Sequence, residues 1–229
     1  MNPLVFDIET KRDQVFLDAH GIEDMLRSQV KLGNTKDLSK VAEKQEEGLL
    51  KKLEAAAKDP LTGRVVAIGV SNLFSDDSPV VFAEDTGDSI EDERAVIQQF
   101  ADYVRNSTAK LGRPVLCGYN IRGFDIPFLL TRAAIRQVEM PPVFPHMRDY
   151  RRVVDAMDVL SPDPSKRIPL NTWLARFGLP LKTDTGANVE NMSITQVQEY
   201  CRADVERERS LIRRCRFMFP ALIEEESAA

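Results

Sequence analysis

The 229-residue sequence is poor in the residues that build disulfide frameworks and zinc sites. It has three cysteines, Cys117, Cys201 and Cys215, an odd number with no CxxC pair. Its two histidines, His20 and His146, lie far apart and match no metal-binding spacing. We therefore expect buried free thiols and structural histidines, and the composition argues against a disulfide-rich or zinc-based fold.

Long hydrophobic segments are also missing. No apolar run approaches the roughly 18 residues that a membrane-spanning helix needs, and the N-terminus shows no basic-then-apolar signal. We therefore expect a soluble, cytoplasmic protein without a membrane partner. A chain of this length with 43% hydrophobic residues can bury one substantial core. We expect a single domain over residues 1–229, frayed only at its acidic end, residues 224–229.

A formal net charge of −5 argues at first sight against a polyanionic ligand, but the charge is unevenly distributed. Residues 105–182 carry thirteen basic and six acidic side chains, so the middle of the chain is basic. A solvated surface explains such clustering equally well, and the pattern alone is a weak indication of phosphate contacts. The candidate contact residues are Arg122, Arg132, Arg148, Arg151, Arg152, Lys166 and Arg167.

The order of predicted elements is typical of a mixed α/β sheet. A short strand at Leu4–Ile8 and the next strand, at Arg64–Leu73, are about fifty residues apart. Between them, apolar spacing predicts an amphipathic helix over Asn34–Lys58, capped by Asn34 or Thr35, so that residues 12–60 form a helical insertion. The other predicted elements are a strand at Val80–Glu84 that completes an antiparallel meander, a helix at Glu91–Asn106, a strand at Val115–Tyr119, a helix at Asp125–Gln137, a strand or helix near Val153–Leu160, a segment at Leu170–Phe177 and a terminal helix at Thr195–Phe219.

The first strand carries two carboxylates, Asp7 and Glu9, separated by one residue. On a strand they point to the same face, roughly 7 Å apart along the backbone. A carboxylate within a buried strand is costly unless it is paired or binds a metal ion. The alternative is a strand end whose acids are simply solvated.

Two further groups of polar residues occur later in the chain. Asn120, Phe124 and Asp125 follow a buried strand, and Asp125 opens a helix that it would also be well placed to cap. In the terminal helix, Tyr200 and Asp204 lie one turn apart on the same face. The alternative for this pair is a core aromatic beside a solvated acid.

In this order, D-I-E at Asp7–Glu9, N-x3-F-D at Asn120–Asp125 and Y-x3-D at Tyr200–Asp204 resemble the three exonuclease motifs of the DEDD superfamily. The tyrosine four residues before the last aspartate is typical of the tyrosine branch. More closely, the chain resembles stand-alone relatives of the proofreading exonuclease domain of family B DNA polymerases. The resemblance implies a ribonuclease H-like α/β fold, a mixed five-stranded sheet flanked by helices, with the helical insertion after the first strand lying outside it.

The resemblance also implies hydrolysis of phosphodiester bonds by two divalent metal ions, Mg²⁺ or Mn²⁺, with release of nucleoside monophosphates. Oxygen-only ligands favour these ions over zinc. By resemblance, Asp7 would bridge both ions, and Asp125 would hold the second ion through water. Glu9 and Asp204 would complete the coordination of the ion that activates the nucleophile. Tyr200 would orient the attacking water, because a phenol with a pKa of about 10 is a poor base near neutrality.

Substrate contacts are expected from Thr10, Asn120, Phe124 and Lys182, although Phe124 is equally suited to packing in the core. The expected substrate is single-stranded DNA or a frayed 3′ end, and RNA is the alternative polymer. A proofreading role would be performed for a separate DNA polymerase or with a replication protein, and free-standing action is equally compatible with the sequence. The alternative from another class is a catalytically silent module that binds nucleic acid or a partner on the same fold.

Overall fold

Residues 2–31, 37–144, 152–161, 163, 166–182 and 186–222 are described by the computed structural model of the chain. Five strands form one sheet: β1 (Pro3–Arg12), β2 (Gly63–Asn72), β3 (Val80–Ala83), β4 (Val115–Gly118) and β5 (Val153–Asp155). Their order across the sheet is β3-β2-β1-β4-β5, so β1 lies at the centre. The predicted mixed five-stranded α/β sheet is confirmed.

Helices flank the sheet and fill the insertion. In chain order they are α1 (Gln14–Ala19), α2 (Ile22–Ser28), α3 (Leu38–Ala56), α4 (Ser89–Leu111), α5 (Asp125–Ile135), α6 (Ala156–Leu160), α7 (Leu170–Arg176) and α8 (Ile194–Cys215). Short 3-10 helices lie at Gly186–Asn191, Arg216–Met218 and Pro220–Leu222. Within the described residues, no helix is long and apolar enough to cross a membrane.

The sheet is mixed because β1 has a different kind of neighbour on each side. It pairs antiparallel with β2, and β2 pairs antiparallel with β3, which confirms the predicted meander. Helix α4 then carries the chain to the far side of β1, where β4 runs parallel to β1 and β5 runs parallel to β4. The carboxyl ends of β1, β4 and β5 therefore meet at one edge, which is where open α/β sheets bind ligands.

The side chains of β1 alternate between two cores. Phe6 and Ile8 pack in the core under α4 and α5. Val5 packs in the core under α8. Since Asp7 and Glu9 are in phase with Val5, both carboxylates point to the side of the sheet that α8 covers.

The helical insertion predicted after the first strand is confirmed as α1, α2 and α3. Helix α3 begins later than predicted, because Asp37 caps it by accepting a hydrogen bond from the Ser39 amide at 3.0 Å. The predicted caps, Asn34 and Thr35, lie outside the described residues. The small core of the insertion contains Leu17, Leu49 and Leu53.

Other boundaries shift where a cap or a partner strand decides them. Strand β1 continues to Arg12 because β2 pairs with it that far, across an irregularity between Glu9 and Thr10. Helix α4 begins before the predicted Glu91 because the side chain of Asp88 accepts hydrogen bonds from the first-turn amides.

The C-terminal elements also differ in detail from the prediction. Helix α8 begins at Ile194, where Ser193 and Gln196 form a capping box, and it gives way to 3-10 turns after Cys215 instead of continuing to Phe219. The segment predicted as a short strand or helix, Val153–Leu160, is a strand followed directly by a helix. The end predicted to fray, residues 224–229, lies outside the described residues.

A buried charge network ties both ends of the insertion to helices α4 and α5. Arg132 of α5 is 1% exposed and donates hydrogen bonds to Glu93 of α4 at 2.8 and 2.7 Å. It also donates to Asp13, just before α1, at 2.8 Å, and to the carbonyl of Pro60, after α3, at 3.2 Å. Arg136 donates to the same two carboxylates. The prediction that Arg132 contacts phosphate is therefore wrong, because its guanidinium is enclosed in this network.

The substitution Glu93→Gln should lower the free energy of unfolding by about 3–5 kcal/mol, because it leaves buried guanidinium groups without their counter-charge. Urea denaturation measures this change. The matched control is Glu91→Gln on the same helix, whose pair with Arg94 is exposed and 3.8 Å long and should contribute little. Equal unfolding midpoints for the two variants would contradict a stabilising role for the network.

Candidate active site

The edge of the sheet opens beside β1 because β4 is shorter than its neighbour. Strand β4 pairs with β1 only over residues 3–5, so the amide of Ile8 lies beyond the paired region. The carboxylate of Asp125 accepts the hydrogen of this amide at 3.1 Å. Asp125 is the first residue of α5, and the cap of that helix is Phe124. The alternative explanation, that Asp125 merely caps its helix, is therefore wrong.

Helix α8 comes close to the acidic strand because β2 has a glycine opposite Asp7. A Cβ atom at Gly69 would lie 2.7 Å from Cγ2 of Val205 and 2.9 Å from Sγ of Cys201, so a larger side chain would push the helix outwards. This close approach brings the buried face of α8, including Asp204, to the carboxylates of β1. All three cysteines are buried and free, as predicted.

Two cations hold the carboxylate of Asp204. The ammonium of Lys182 contacts one carboxylate oxygen, and Arg207 donates to the other at 2.7 Å. The same ammonium lies 4.7 Å from the ring centre of Tyr200. The Tyr200 hydroxyl is buried and has no hydrogen-bond partner among the described residues. The structure thus brings together Tyr200, Asp204 and Lys182, three residues that the sequence singled out.

The backbone of Lys182 is fixed by Asn171 of α7. The side-chain amide of Asn171 donates to the carbonyl of Lys182 at 2.9 Å, and its oxygen accepts from the Lys182 amide at 2.8 Å. This role of Asn171 has no signal in the sequence, because it depends on where a loop returns. Arg207, by contrast, lies one turn beyond Asp204, and helical spacing could have identified it.

Burial raises the pKa values of Asp7, Glu9 and Asp125. For Asp7, burial and then repulsion by Asp204 raise the pKa to about 7, and Lys182 opposes the rise only in part. The pKa values of Glu9 and Asp125 are also raised, first by burial and then by the charge of Asp7. Burial alone would lower the pKa of Lys182, but attraction to Asp204 and Asp7 raises it. The carboxyl groups therefore repel one another, while the lysine stays charged.

A cavity of about 270 Å³ opens over these acids. We call it the acidic cavity. Three of the predicted substrate residues, Thr10, Phe124 and Lys182, line it together with Asp7 and Glu9. The half-buried ring of Phe124 also packs on Phe128, with the ring centres 5.4 Å apart, so both roles considered for it are compatible with its position. Sequence reasoning did not anticipate Lys58, which follows α3 and also lines the cavity.

The fourth predicted substrate residue, Asn120, lines a different cavity, of about 220 Å³, at the carboxyl ends of β4 and β5. We call it the basic cavity, because Arg122, Lys166 and Arg167 line it with a single acid, Asp158. Arg122 is paired with Asp158 at 3.2 Å, while Lys166 and Arg167 are exposed. Of the other predicted phosphate contacts, Arg152 is exposed, and Arg148 and Arg151 lie outside the described residues.

Asp155 organises the loop that leads to α5. It is 2% exposed and accepts hydrogen bonds from the amides of Asn120 at 2.8 Å and Arg122 at 3.0 Å. Burial raises its pKa. The sequence did not predict this hydrogen-bonding role of Asp155, because its partners lie more than thirty residues away along the chain.

Glu208 is a fifth acid, and it lies behind Asp7, Glu9, Asp125 and Asp204. It is 4% exposed and accepts a hydrogen bond from the amide of Tyr119 at 3.1 Å. Burial, followed by the charges of Asp7, Asp125 and Asp204, raises its pKa. Since Glu208 lies one turn beyond Asp204 on the same helix face, helical spacing could have identified it.

The donor atoms at the acidic cavity are of the kind that Mg²⁺ and Mn²⁺ prefer. Among the described residues, Asp7, Glu9 and Cys201 offer candidate ligand atoms within 4.8 Å of one another. Cys201 is a poor ligand, because burial raises the pKa of its thiol and keeps it protonated. The carboxylates are hard oxygen donors. Asp125 and Asp204 border the same cluster but lie outside this group of three.

The sequence matches, over residues 59–227, the family described as "Predicted 3'-5' exonuclease related to the exonuclease domain of PolB". No curated protein matches the sequence. The fold is similar to part of the family B DNA polymerase from the hyperthermophilic archaeon Pyrobaculum calidifontis, with a TM-score of 0.57 and 20% sequence identity. The alignment covers 93% of this chain and 24% of the polymerase chain, so this chain spans about a quarter of that protein. At this identity, the likeness shows the fold.

The substitution Gly69→Ala should destabilise the protein by about 1–3 kcal/mol, because the added methyl group overpacks the contact between β2 and α8. Thermal unfolding measures this. In a Val205→Ala background the nearest atom is gone, so the same glycine substitution should cost clearly less. Strictly additive effects in this double-mutant cycle would contradict a close approach limited by Gly69.

Proposed function

Because the chain belongs to the family of predicted 3′-5′ exonucleases related to the exonuclease domain of PolB, we propose that it removes nucleotides from the 3′ end of single-stranded DNA. The reaction is two-metal-ion hydrolysis, and it releases nucleoside monophosphates. One observation supports the proposal: four carboxylates lie together at the edge of the sheet where the carboxyl ends of β1, β4 and β5 meet, and three of them are almost completely buried. These four carboxylates are Asp7, Glu9, Asp125 and Asp204.

Divalent ions fit this cluster. Buried like charges are costly, and Lys182 and Arg207 would balance only part of the charge of the four carboxylates in their ionised form. The four carboxylates would hold Mg²⁺ or Mn²⁺ through oxygen atoms alone. When bound, such ions lower the pKa of a water molecule and stabilise the charge that develops on the phosphate.

We propose further that the chain belongs to the tyrosine branch of these exonucleases, with Tyr200 as the residue that supports this assignment. Burial raises the pKa of its phenol, so the group stays protonated near neutrality and does not serve as a base. Its hydroxyl, which lacks a partner among the described residues, is available to orient the attacking water. The ammonium of Lys182, beside that ring, adds positive charge where the terminal phosphodiester lies.

The basic cavity suits the strand upstream of the reacting bond. Lys166 and Arg167 are exposed there, and salt-sensitive contacts with backbone phosphates follow from such a surface. A Cβ atom at Gly123 would lie 3.1 Å from Nη2 of Arg167, so the absence of a side chain leaves room for this guanidinium over the loop. The loop Asn120–Phe124 borders both the basic cavity and the acidic cavity.

Two alternatives remain for the same site. RNA offers the same phosphodiester, and the DNA preference rests on the relation to a DNA polymerase domain. A catalytically silent module would bind nucleic acid or a replication partner without cleavage. The complete set of four carboxylates argues against that module. A separate DNA polymerase is the partner we propose for a proofreading role.

Digestion of a 5′-labelled single-stranded DNA, and of the RNA with the same sequence, tests the proposal. With Mg²⁺ or Mn²⁺, the wild-type protein should produce a ladder that shortens from the 3′ end. The variant Asp7→Asn should cleave at least about 100-fold more slowly, and EDTA should abolish cleavage. Asp102→Asn changes an exposed acid on α4 and is the matched control, with cleavage equal to wild type.

The same variants separate catalysis from folding. Because Asp7 is repelled by its neighbours, Asp7→Asn should unfold in EDTA at a temperature equal to or above that of the wild type. Intact DNA and RNA beside metal-independent binding would favour the silent module. A faster ladder on RNA would select the RNA alternative.

Metal binding should tighten as the pH rises towards 7. The folded-state pKa of Asp7 is about 7, whereas the carboxyl group of an unfolded chain titrates near 4. Between these values the folded protein holds a proton that a metal ion must displace. The dissociation constant for Mn²⁺ should therefore fall by up to about tenfold per pH unit as the pH rises towards 7, through the proton on Asp7.

Isothermal titration calorimetry of the wild-type protein at pH 6, 7 and 8 measures this dependence and the protons released. Protein stability in EDTA should depend on pH in the opposite direction. The contribution of Asp7 to the free energy of unfolding is lost as the pH rises from about 4 to about 7, because the folded state binds more protons than the unfolded state in this range. Asp7→Asn should flatten both dependences. An Mn²⁺ affinity that is the same at pH 6 and pH 8 would contradict the linkage.

A further inference from the structure

A further cavity, of about 220 Å³, adjoins the acidic cavity on the side of the helical insertion. Its lining comes from the end of β1, from α3 and from the 3-10 helix Gly186–Asn191, and we call it the insertion cavity. Thr10 and Lys58 line both the insertion cavity and the acidic cavity. A ligand at the acids can therefore extend into the insertion cavity past these two residues.

On the α3 side, Leu50, Leu53 and Ala57 give the insertion cavity an apolar wall, with the carboxylate of Glu54 beside them. Leu53 belongs to the small core of the insertion. Leu50 is 54% exposed and presents its side chain to the cavity. The cavity therefore offers an apolar surface that the packing of the insertion does not use.

The lining of the insertion cavity has no net formal charge, because it contains two basic residues, Arg12 and Lys58, and two acidic residues, Glu54 and Glu190. Arg12 is paired with Glu190 at 3.2 Å, which also ties the 3-10 helix to β1. A neutral lining does not favour a phosphate group, for which the basic cavity is better suited. One apolar wall that faces polar and charged residues suits a nucleobase, which has apolar faces and hydrogen-bonding edges. The side-chain amide of Asn191, also in the lining, offers a donor and an acceptor for the edge of such a ring.

We infer that the insertion cavity receives the base of the 3′-terminal nucleotide, with Leu50 packed against the base while the terminal phosphodiester lies over Asp7 and Glu9. This inference rests on the proposed function and adds to it a nucleobase subsite. The helix that supplies the apolar wall, α3, lies outside the matched residues 59–227. The upstream phosphates then lie towards the basic cavity, so the three cavities accommodate base, reacting bond and backbone in turn.

The test compares two 5′-labelled DNA strands that differ only in whether the 3′-terminal nucleotide carries a base. Wild type should cleave the normal strand about tenfold more efficiently, with the difference in KM, because the base buries apolar surface. Leu50→Asp should lose this preference through a higher KM for the normal strand. Leu111→Asp, at a leucine of similar exposure (60%) at the end of α4, is the matched control and should keep the preference.

Binding of both strands in EDTA, followed by fluorescence anisotropy, separates this inference from the proposed function. In one outcome, wild type binds the normal strand more tightly, Leu50→Asp loses this preference, and neither protein cleaves with Mg²⁺. The subsite then stands, and the exonuclease proposal fails. If wild type cleaves from the 3′ end and Leu50→Asp retains the full preference, the exonuclease stands and the subsite is overturned. Binding without any preference, together with no cleavage, would overturn both.

Discussion

The confinement of several carboxyl groups within one cluster is the constraint on which the rest of this structure depends. Asp125, Glu208 and Asp204 each have a partner outside their own element. Asp125 accepts the Ile8 amide that β4 leaves beyond its paired region, and Glu208 accepts the amide of Tyr119. Asp204 is held between two cations. Three features bring these groups together with their partners: the short strand β4, the glycine of β2 and the loop that returns at Lys182.

The chain contains two buried charge networks with opposite balances. Around Arg132, two guanidinium groups face two carboxylates, and multiple hydrogen bonds offset the cost of removing the charges from water. Around Asp7, the acids outnumber the cations that contact them, and burial raises the pKa of Asp7 to about 7. The first network needs nothing further and holds the fold together. The second is in excess of negative charge, which is the condition under which binding of a cation gains most.

Features that depend on local spacing could be predicted from the sequence. The alternation of β1 placed Asp7 and Glu9 on one face, and the helical period placed Tyr200 and Asp204 together. Features that depend on tertiary contacts could not. The position of Asp125 as first residue of a helix suggested a cap, whereas its partner is an amide 117 residues away. Arg132 has the charge of a phosphate contact, but its burial follows only from the packing of α4 against α5.

The helical insertion is held by the network around Arg132, and it also forms a wall beside the acids around Asp7. Arg132 fixes the two ends of the insertion by donating hydrogen bonds to Asp13 and to the carbonyl of Pro60. The charges of that network are paired with one another, whereas the acids around Asp7 are the groups that would exchange protons for cations under the proposed function. The wall formed by α3 and Lys58 is therefore held in place independently of the charge state of the acids. Under the proposed function, a base subsite on such a wall would keep its position through the reaction, so that binding energy gained there would orient the terminal bond over Asp7 and Glu9.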